Sequence, residues 1–201
     1  MSMALSKGRK VMKVIFLDID GVLNSENHIK EIKALIKKGK RTDRALRRWD
    51  LPYKGTMLPL KKIIDETGAK IVLSSTWRNI PRRIKQLNIC FKRYGVEIYD
   101  KTCRGIYADE LEKLGFSLEI CYTVYTDPTH RKYTLDRGAE IASWLSEHPE
   151  VESFVILDDD VADIDQYYEK QHVWTDFYDW ALTFEKAEQA IKILNEVPNN
   201  E

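Results

Sequence analysis

Four aspartates carry the chemistry in this sequence. Asp18 and Asp20 close the apolar run Lys13-Val14-Ile15-Phe16-Leu17, and Asp158 and Asp159 close a second run, Phe154-Val155-Ile156-Leu157. Residues two apart on an extended chain point the same way, so the carboxylates of Asp18 and Asp20 can serve one site. In such a pair one carboxylate can act as nucleophile while the other handles protons. Gly21 comes next and permits a tight turn with close approach of backbone to ligand. If the two runs are neighbouring strands, their tips lie about 5 Å apart. Carboxylates crowded into that space repel one another, and the arrangement implies a metal site.

The elements that must position these side chains emerge from the hydrophobic pattern. Short apolar runs ending in acids fit strands buried on both faces of a parallel sheet, where ligands gather beyond the carboxyl ends. Ile71-Val72-Leu73 is a further buried strand and delivers Ser74, Ser75 and Thr76. Val96 to Tyr99 and His172 to Thr175 are predicted as flanking strands. Helices are predicted over Ile29 to Ile36 with Gly39 as the stop, over Leu58 to Glu66 ended by Thr67-Gly68, and over Ile80 to Tyr94 ended by Gly95. Asp136 is a candidate N-cap for a helix burying Ile141, Trp144 and Leu145. A short helix is expected over Val161 to Tyr168. Thr183 is a candidate N-cap for the last helix, with its stripe of Phe184, Ala187, Ile191 and Leu194. Between 100 and 135 the pattern is weakest, with a short helix near Ala108 to Leu114 and a strand at Ile120 to Tyr125. This alternation predicts a single α/β domain, 1–201, with a doubly wound, mostly parallel Rossmann-like sheet and helices on both faces. A small basic insert at about 25–57 would lie over the active face.

Composition narrows the class. The 201 residues hold 32 Lys and Arg against 32 Asp and Glu, a balance that argues against wholesale coating of nucleic acid. The charge is unevenly spread, since nine Lys or Arg between Lys30 and Arg48 face only Glu31 and Asp43. A local basic surface beside an acidic centre suits an anionic substrate. Cys90, Cys103 and Cys121 lack CxxC spacing and read as reduced thiols. No His/Cys grouping points to zinc. The first apolar run is too short to span a membrane and no small-residue cleavage site comes after it, so no membrane partner and a cytoplasmic location are expected.

The segment Phe16-Leu17-Asp18-Ile19-Asp20-Gly21-Val22-Leu23-Asn24 resembles the first motif of the haloacid dehalogenase (HAD) superfamily. Ile71 to Arg78 resembles its second motif, and Asp158-Asp159 after a buried strand its fourth. The HAD domain group associated with Swiss Army Knife RNA repair proteins is similar as well in Arg137-Gly138-x-Glu140-Ile141-x-x-Trp144-Leu145, and the likeness runs from about Val14 to Leu194.

That resemblance implies a role for each site residue. Asp18 is the nucleophile that accepts phosphorus and forms an aspartyl-phosphate. Asp20 protonates the leaving group and then activates water, its backbone carbonyl joining the metal. Mg2+ is the cofactor, held by Asp18, Asp20, Asp158 and Asp159; hard oxygen ligands suit that ion. Ser75, with Ser74 as the rival, holds a phosphoryl oxygen. The family places a cation, usually Lys, on the phosphoryl group; here Arg137 takes that part, with Lys132 or Arg131 as alternatives. Positive charge at a helix N-terminus opposes the helix dipole, which an anionic partner relieves; pairing with Glu140 one turn on is the plainer reading of Arg137. Either serine could instead simply cap a helix, Arg78 could be solvated rather than a substrate contact, and Trp77 reads as core or pocket wall. Asp160 and Asp163 receive no ligand role.

The expected activity is therefore a Mg2+-dependent phosphatase acting on a phosphomonoester. Its substrate would be a phosphorylated small molecule, a nucleotide, or a DNA or RNA end. With so short an insert, Lys37 to Arg48 could track a polymer backbone, and Tyr53 or Trp49 could stack on a base. The alternative is a catalytically inactive HAD-like module that binds a phosphorylated ligand or a protein partner. A pure binding site gains nothing from crowded carboxylates, which disfavours that alternative.

Overall fold

The computed structural model describes residues 12–42, 51–103, 106–107, 113–115, 122–125, 132–134 and 137–196. Its centre is a five-stranded sheet in which every pairing is parallel. Strand β1 (Met12–Leu17) lies in the middle, flanked by β2 (Lys70–Leu73) and β7 (Val151–Asp158); β3 (Ile98–Lys101) and β8 (His172–Trp174) form the edges. Strand order β3-β2-β1-β7-β8 reverses direction of travel between β1 and β7. That is a topological switch point, where the crevice for ligands opens beyond the strand ends. The sheet is the predicted α/β Rossmann-like architecture.

Alternation along β1 explains why helices cover both faces. Ile15 and Leu17 face a core built from Leu60, Ile63, Leu87, Phe91, Ala187, Ile191 and Leu194. These residues belong to α2 (Lys54–Thr67), α3 (Pro81–Lys92) and α6 (Phe184–Asn195). Met12, Val14 and Phe16 face Ile141, Trp144 and Ile164, from α4 (Arg137–Ser146) and α5 (Ala162–Tyr168). Phe16 is fully buried and meets Trp144 and Phe154 edge to face, with centroids 5.4 and 5.7 Å apart. The Trp144 indole N–H donates to Asp100 at 2.8 Å, which ties α4 to the edge strand β3.

Element ends obey local chemistry. Helix α1 (Glu26–Lys37) starts three residues before the expected Ile29, because the Ser25 hydroxyl accepts the His28 N–H at 3.3 Å. Gly39, at φ +67°, turns the chain after it. Thr183 caps α6 as expected, accepting from Lys186 N–H at 3.3 Å. Helix α2 begins at Lys54 rather than at Leu58, so Pro59 lies inside it. The earlier start is fixed by Thr56, whose buried hydroxyl donates to Leu23 O at 2.8 Å and to Tyr53 O at 3.1 Å. The expected helix over Ile80 to Tyr94 is shorter: a 3-10 turn at Thr76–Asn79 precedes α3, whose first residue Pro81 suits a helix start.

The weakly patterned stretch forms a second, three-stranded antiparallel sheet, β4 (Ile106–Tyr107), β6 (Lys132–Thr134) and β5 (Tyr122–Tyr125) in that spatial order. The strand expected at Ile120 to Tyr125 is found in its second half. Most of the helix expected over Ala108 to Leu114, the Asp136 cap and residues 43–50 lie outside the described residues. No helix among those described is long and apolar enough to cross a membrane. Phe16→Ala is expected to destabilise the fold by about 3–5 kcal/mol, the cost of an unfilled aromatic site, as read from the urea midpoint of unfolding.

Candidate active site

Side by side, the tips of β1 and β7 deliver three carboxylates to one spot. The Asp18 N–H donates to Leu157 O at 3.0 Å, which continues the β1–β7 ladder into the loop. Asp18, Asp158 and Asp159 each offer an oxygen, and these oxygens lie within 4.8 Å of one another. Asp18 and Asp158 are buried and Asp159 is half-buried. Asp158 Oδ1 accepts the Asp160 N–H at 3.1 Å, whereas Asp158 Oδ2 is buried without a hydrogen-bond partner among the described residues. A hard, all-oxygen donor set suits Mg2+, which is bound through one or two carboxylates and keeps several waters.

Electrostatics of the cluster matches this geometry. Burial pushes the Asp158 carboxyl up to about 8, against the lowering pull of Arg137 and with the charge of Asp18 adding to the rise. Burial also raises Asp159, to about 6, with repulsion from Asp18 next. Asp18 is raised by burial, although Arg137, the Ser75 hydroxyl and the Ile19 N–H favour its anion. Three carboxyls that resist ionisation together are the signature of a site that takes up positive charge.

Arg137 supplies part of that charge. It is the first residue of α4, and its Nε stands 3.3 Å from Asp158 Oδ2 and its Nη2 3.8 Å from Asp18 Oδ1. Burial opposes its charge, but Asp158, then Asp18, then Glu140 outweigh that and raise its pKa. The plainer pairing with Glu140 therefore ranks behind the two aspartates. Glu140 takes Arg78, whose Nη2 donates to both carboxylate oxygens at 2.6 Å and to Cys103 O at 3.1 Å. Arg78 is thus a buried ion-pair partner, and the solvated reading of it is corrected. The sequence offers no signal for this pairing, because Arg78 and Glu140 are 62 positions apart.

Ser75 fills the capping part expected of it and also meets Asp18. Its hydroxyl accepts the Trp77 N–H at 3.4 Å as cap of the 3-10 turn, and it also hydrogen-bonds the Asp18 side chain. Ser74 Oγ is fully buried without a partner among the described residues. Asp20 is exposed and stands apart from the three clustered aspartates. Its Oδ1 accepts from Asn24 Nδ2 and its Oδ2 from the Trp77 indole, each at 2.8 Å. Asn24 Oδ1 in turn accepts the Gly21 N–H at 3.1 Å. Trp77 lies in the core as expected, and its indole also reaches Asp20, a contact that nothing in the sequence carries; DxDGxxN spacing carries Asn24. Gly21 adopts φ +73°, and a Cβ there would overlap the Asp159 carboxylate, so only glycine fits.

Lys132 lies in strand β6 of the small sheet; Arg131 and Trp49 fall outside the described residues. Tyr53 stacks on His28 with centroids 3.8 Å apart, and its hydroxyl donates to Trp180 O at 3.3 Å. Both belong to a cleft of about 860 Å³ that includes none of the aspartates; its walls include Arg41 and Leu51, the flanks of a segment outside the described residues. Size alone therefore does not mark the chemical centre.

A model of the family described as HAD domain in Swiss Army Knife RNA repair proteins matches residues 14–187. No curated protein and no solved structure matches the chain.

The raised carboxyls set a pH signature. A carboxyl whose folded pKa exceeds the unfolded value of 3.8 contributes stability that is whole below 3.8. That stability is lost as pH rises through about 6 for Asp159 and about 8 for Asp158. In EDTA the thermal midpoint is expected to fall between pH about 5 and about 8, less so in Asp159→Asn. Millimolar Mg2+ is expected to raise the midpoint more at the alkaline end than at the acid end, because binding requires the anions. A Mg2+ effect independent of pH would contradict the cluster as the metal site.

Proposed function

Since the chain belongs to the family of HAD domains in Swiss Army Knife RNA repair proteins, we propose that it is a Mg2+-dependent phosphohydrolase acting through an aspartyl-phosphate on Asp18. The observation that carries this reading is the convergence of the Asp18, Asp158 and Asp159 oxygens within 4.8 Å, with Arg137 and Ser75 both on Asp18. Asp18, Asp158 and Asp159 would hold the metal through their side chains. Asp20, whose side chain is turned to Asn24 and Trp77, would join through its backbone carbonyl.

When bound, Mg2+ supplies charge neutralisation between the attacking carboxylate and the phosphoryl oxygens. The protein's own groups account for the rest. An Asp18 oxygen attacks phosphorus as the bond from phosphorus to the leaving oxygen breaks. Asp20 gives its proton to that oxygen. It then takes a proton from water, whose oxygen attacks the aspartyl-phosphate, releases phosphate and restores Asp18. Ser75 and Arg137 hold phosphoryl oxygens, Ser75 being favoured over Ser74 because its hydroxyl already meets Asp18. Trp77 and Asn24 fix the Asp20 carboxylate for both proton transfers.

The substrate class that fits is a phosphomonoester on a nucleotide or a nucleic-acid end, the latter supported by the RNA repair proteins named in the family description.

Asp18→Asn is expected to remove Mg2+-dependent hydrolysis of p-nitrophenyl phosphate, a loss of at least about 10³-fold in kcat. Activity surviving that change would exclude Asp18 as nucleophile. Absence of metal-dependent hydrolysis in the unaltered protein would favour a phosphate-binding module. Trp77→Phe keeps an aromatic ring and deletes the N–H donated to Asp20. It is expected to lower kcat by about 10–100-fold while leaving the Mg2+ concentration for half-maximal activity in place; a change in that concentration alone would assign Trp77 to the metal instead.

A further inference from the structure

Helix α3 carries Arg82, Arg83, Lys85 and Lys92 and no carboxylate. Among the described α-helices it alone lacks one. On α1 and α2, three lysines find an acid one turn away: Lys30 with Glu26 at 2.8 Å, Lys61 with Asp65 at 2.7 Å, and Lys62 with Glu66. Lys85 and Lys92 meet no carboxylate on their own helix, and like charges on one helix cost stability, which an anion from outside would relieve.

The positions of these charges define where it would lie. A groove of about 560 Å³ runs along α3 toward the end of β3, lined by Arg78, Lys85, Asn88, Ile89, Lys92 and Lys101 among others, and by no acid. Lys85, Lys92 and Lys101 are exposed and pair with no carboxylate among the described residues. Arg78 is 9 % exposed, and its Nε and Nη1 are buried without a hydrogen-bond partner among those residues. Only Nη2 is engaged, by Glu140 and Cys103 O. A guanidinium presents five donors, and leaving two of its nitrogens unused in a buried position is costly.

Glu140 links this groove to the catalytic cluster. It stands one turn after Arg137 on α4, so the cation at Asp18 and the cation at the groove's head flank one carboxylate. A chain of phosphates could therefore pass from Asp18 past Arg78 and along Lys85 and Lys92. Ile80 and Ile89, 49 % and 52 % exposed, offer apolar surface beside the cations, which suits bases better than a purely acidic peptide.

We infer that the α3–β3 groove binds the sugar–phosphate backbone of a single-stranded polynucleotide whose terminal phosphate enters the Asp18 centre. The identity of the strand's end rests on the phosphohydrolase reading; binding in the groove does not.

The test is fluorescence anisotropy of a fluorescein-labelled, terminally phosphorylated single-stranded oligonucleotide, titrated in EDTA so that no turnover occurs. The triple change Lys85→Gln, Lys92→Gln, Lys101→Gln is expected to weaken Kd by about tenfold or more. It should also flatten the slope of log K against log salt by about 2, at about 0.7 for each phosphate no longer neutralised. A control triple, Lys61→Gln, Lys62→Gln, Lys192→Gln, removes the same charge elsewhere and is expected to stay within about twofold. Equal weakening by both triples, or no oligonucleotide binding by the unaltered protein, overturns the groove. Hydrolysis of p-nitrophenyl phosphate by the same preparations separates the two readings. Inactive protein with groove-dependent binding sinks the phosphohydrolase alone, and active protein with groove-independent binding sinks the groove alone.

Discussion

Mutual repulsion among carboxylates at the β1 and β7 tips is the constraint on which the rest of this molecule depends. At 4.8 Å or less between oxygens, and with an effective dielectric near 20, each pair of full negative charges costs roughly 3 kcal/mol. A fold gains nothing from that arrangement unless positive charge enters it. The protein meets part of the demand itself through Arg137, and the raised Asp158 and Asp159 show how much remains. A divalent cation and a phosphoryl group are a complementary pair of visitors to such a place. On the phosphohydrolase reading, a metal would relieve the acids and leave Arg137 and Ser75 for the anion.

The scaffold is arranged to keep that repulsion from spreading the strand tips. β1 is buried on both faces and paired in parallel on both edges, so Asp18 cannot retreat without breaking the centre of the sheet. Gly21 lets the loop fold against Asp159 where any Cβ would collide with it. Asn24 and Trp77 take Asp20 out of the crowded cluster, and give it two donors of its own. Two acids two residues apart thereby reach different environments, one buried and repelled, the other exposed and hydrogen-bonded. Divergent environments are what allow one member of a carboxylate pair to attack while the other moves protons.

Positive charge is divided in the same way. Glu140 lies one turn from Arg137, yet both of its oxygens accept from Arg78. Arg137 is left chiefly to the aspartates, and Arg78 is held at the head of a lysine-lined groove. Breaking such a buried pair from one side costs more than the pair contributes, so this division is stable once formed.

What the sequence determined alone is the part written in short-range chemistry. Apolar runs ending in Asp18, Asp20, Asp158 and Asp159 specify buried strands with acidic tips; DxDGxxN specifies the turn; the Thr183 and Gly68 signals begin and end helices. These features need only neighbours in the chain, and so the α/β architecture and the acidic centre are legible there. Boundaries shifted where a distant partner intervened, as when Thr56 reached Leu23 and drew α2 forward to Lys54. The antiparallel sheet of β4, β6 and β5 left little trace because strands of two to four residues are too short for periodicity to register. Only the tertiary structure decided that Glu140 belongs to Arg78, that Trp77 holds Asp20, and that Arg137 faces Asp18 and Asp158. Each joins elements far apart in sequence, fixed by burial and charge compensation in three dimensions, and no local spacing encodes it.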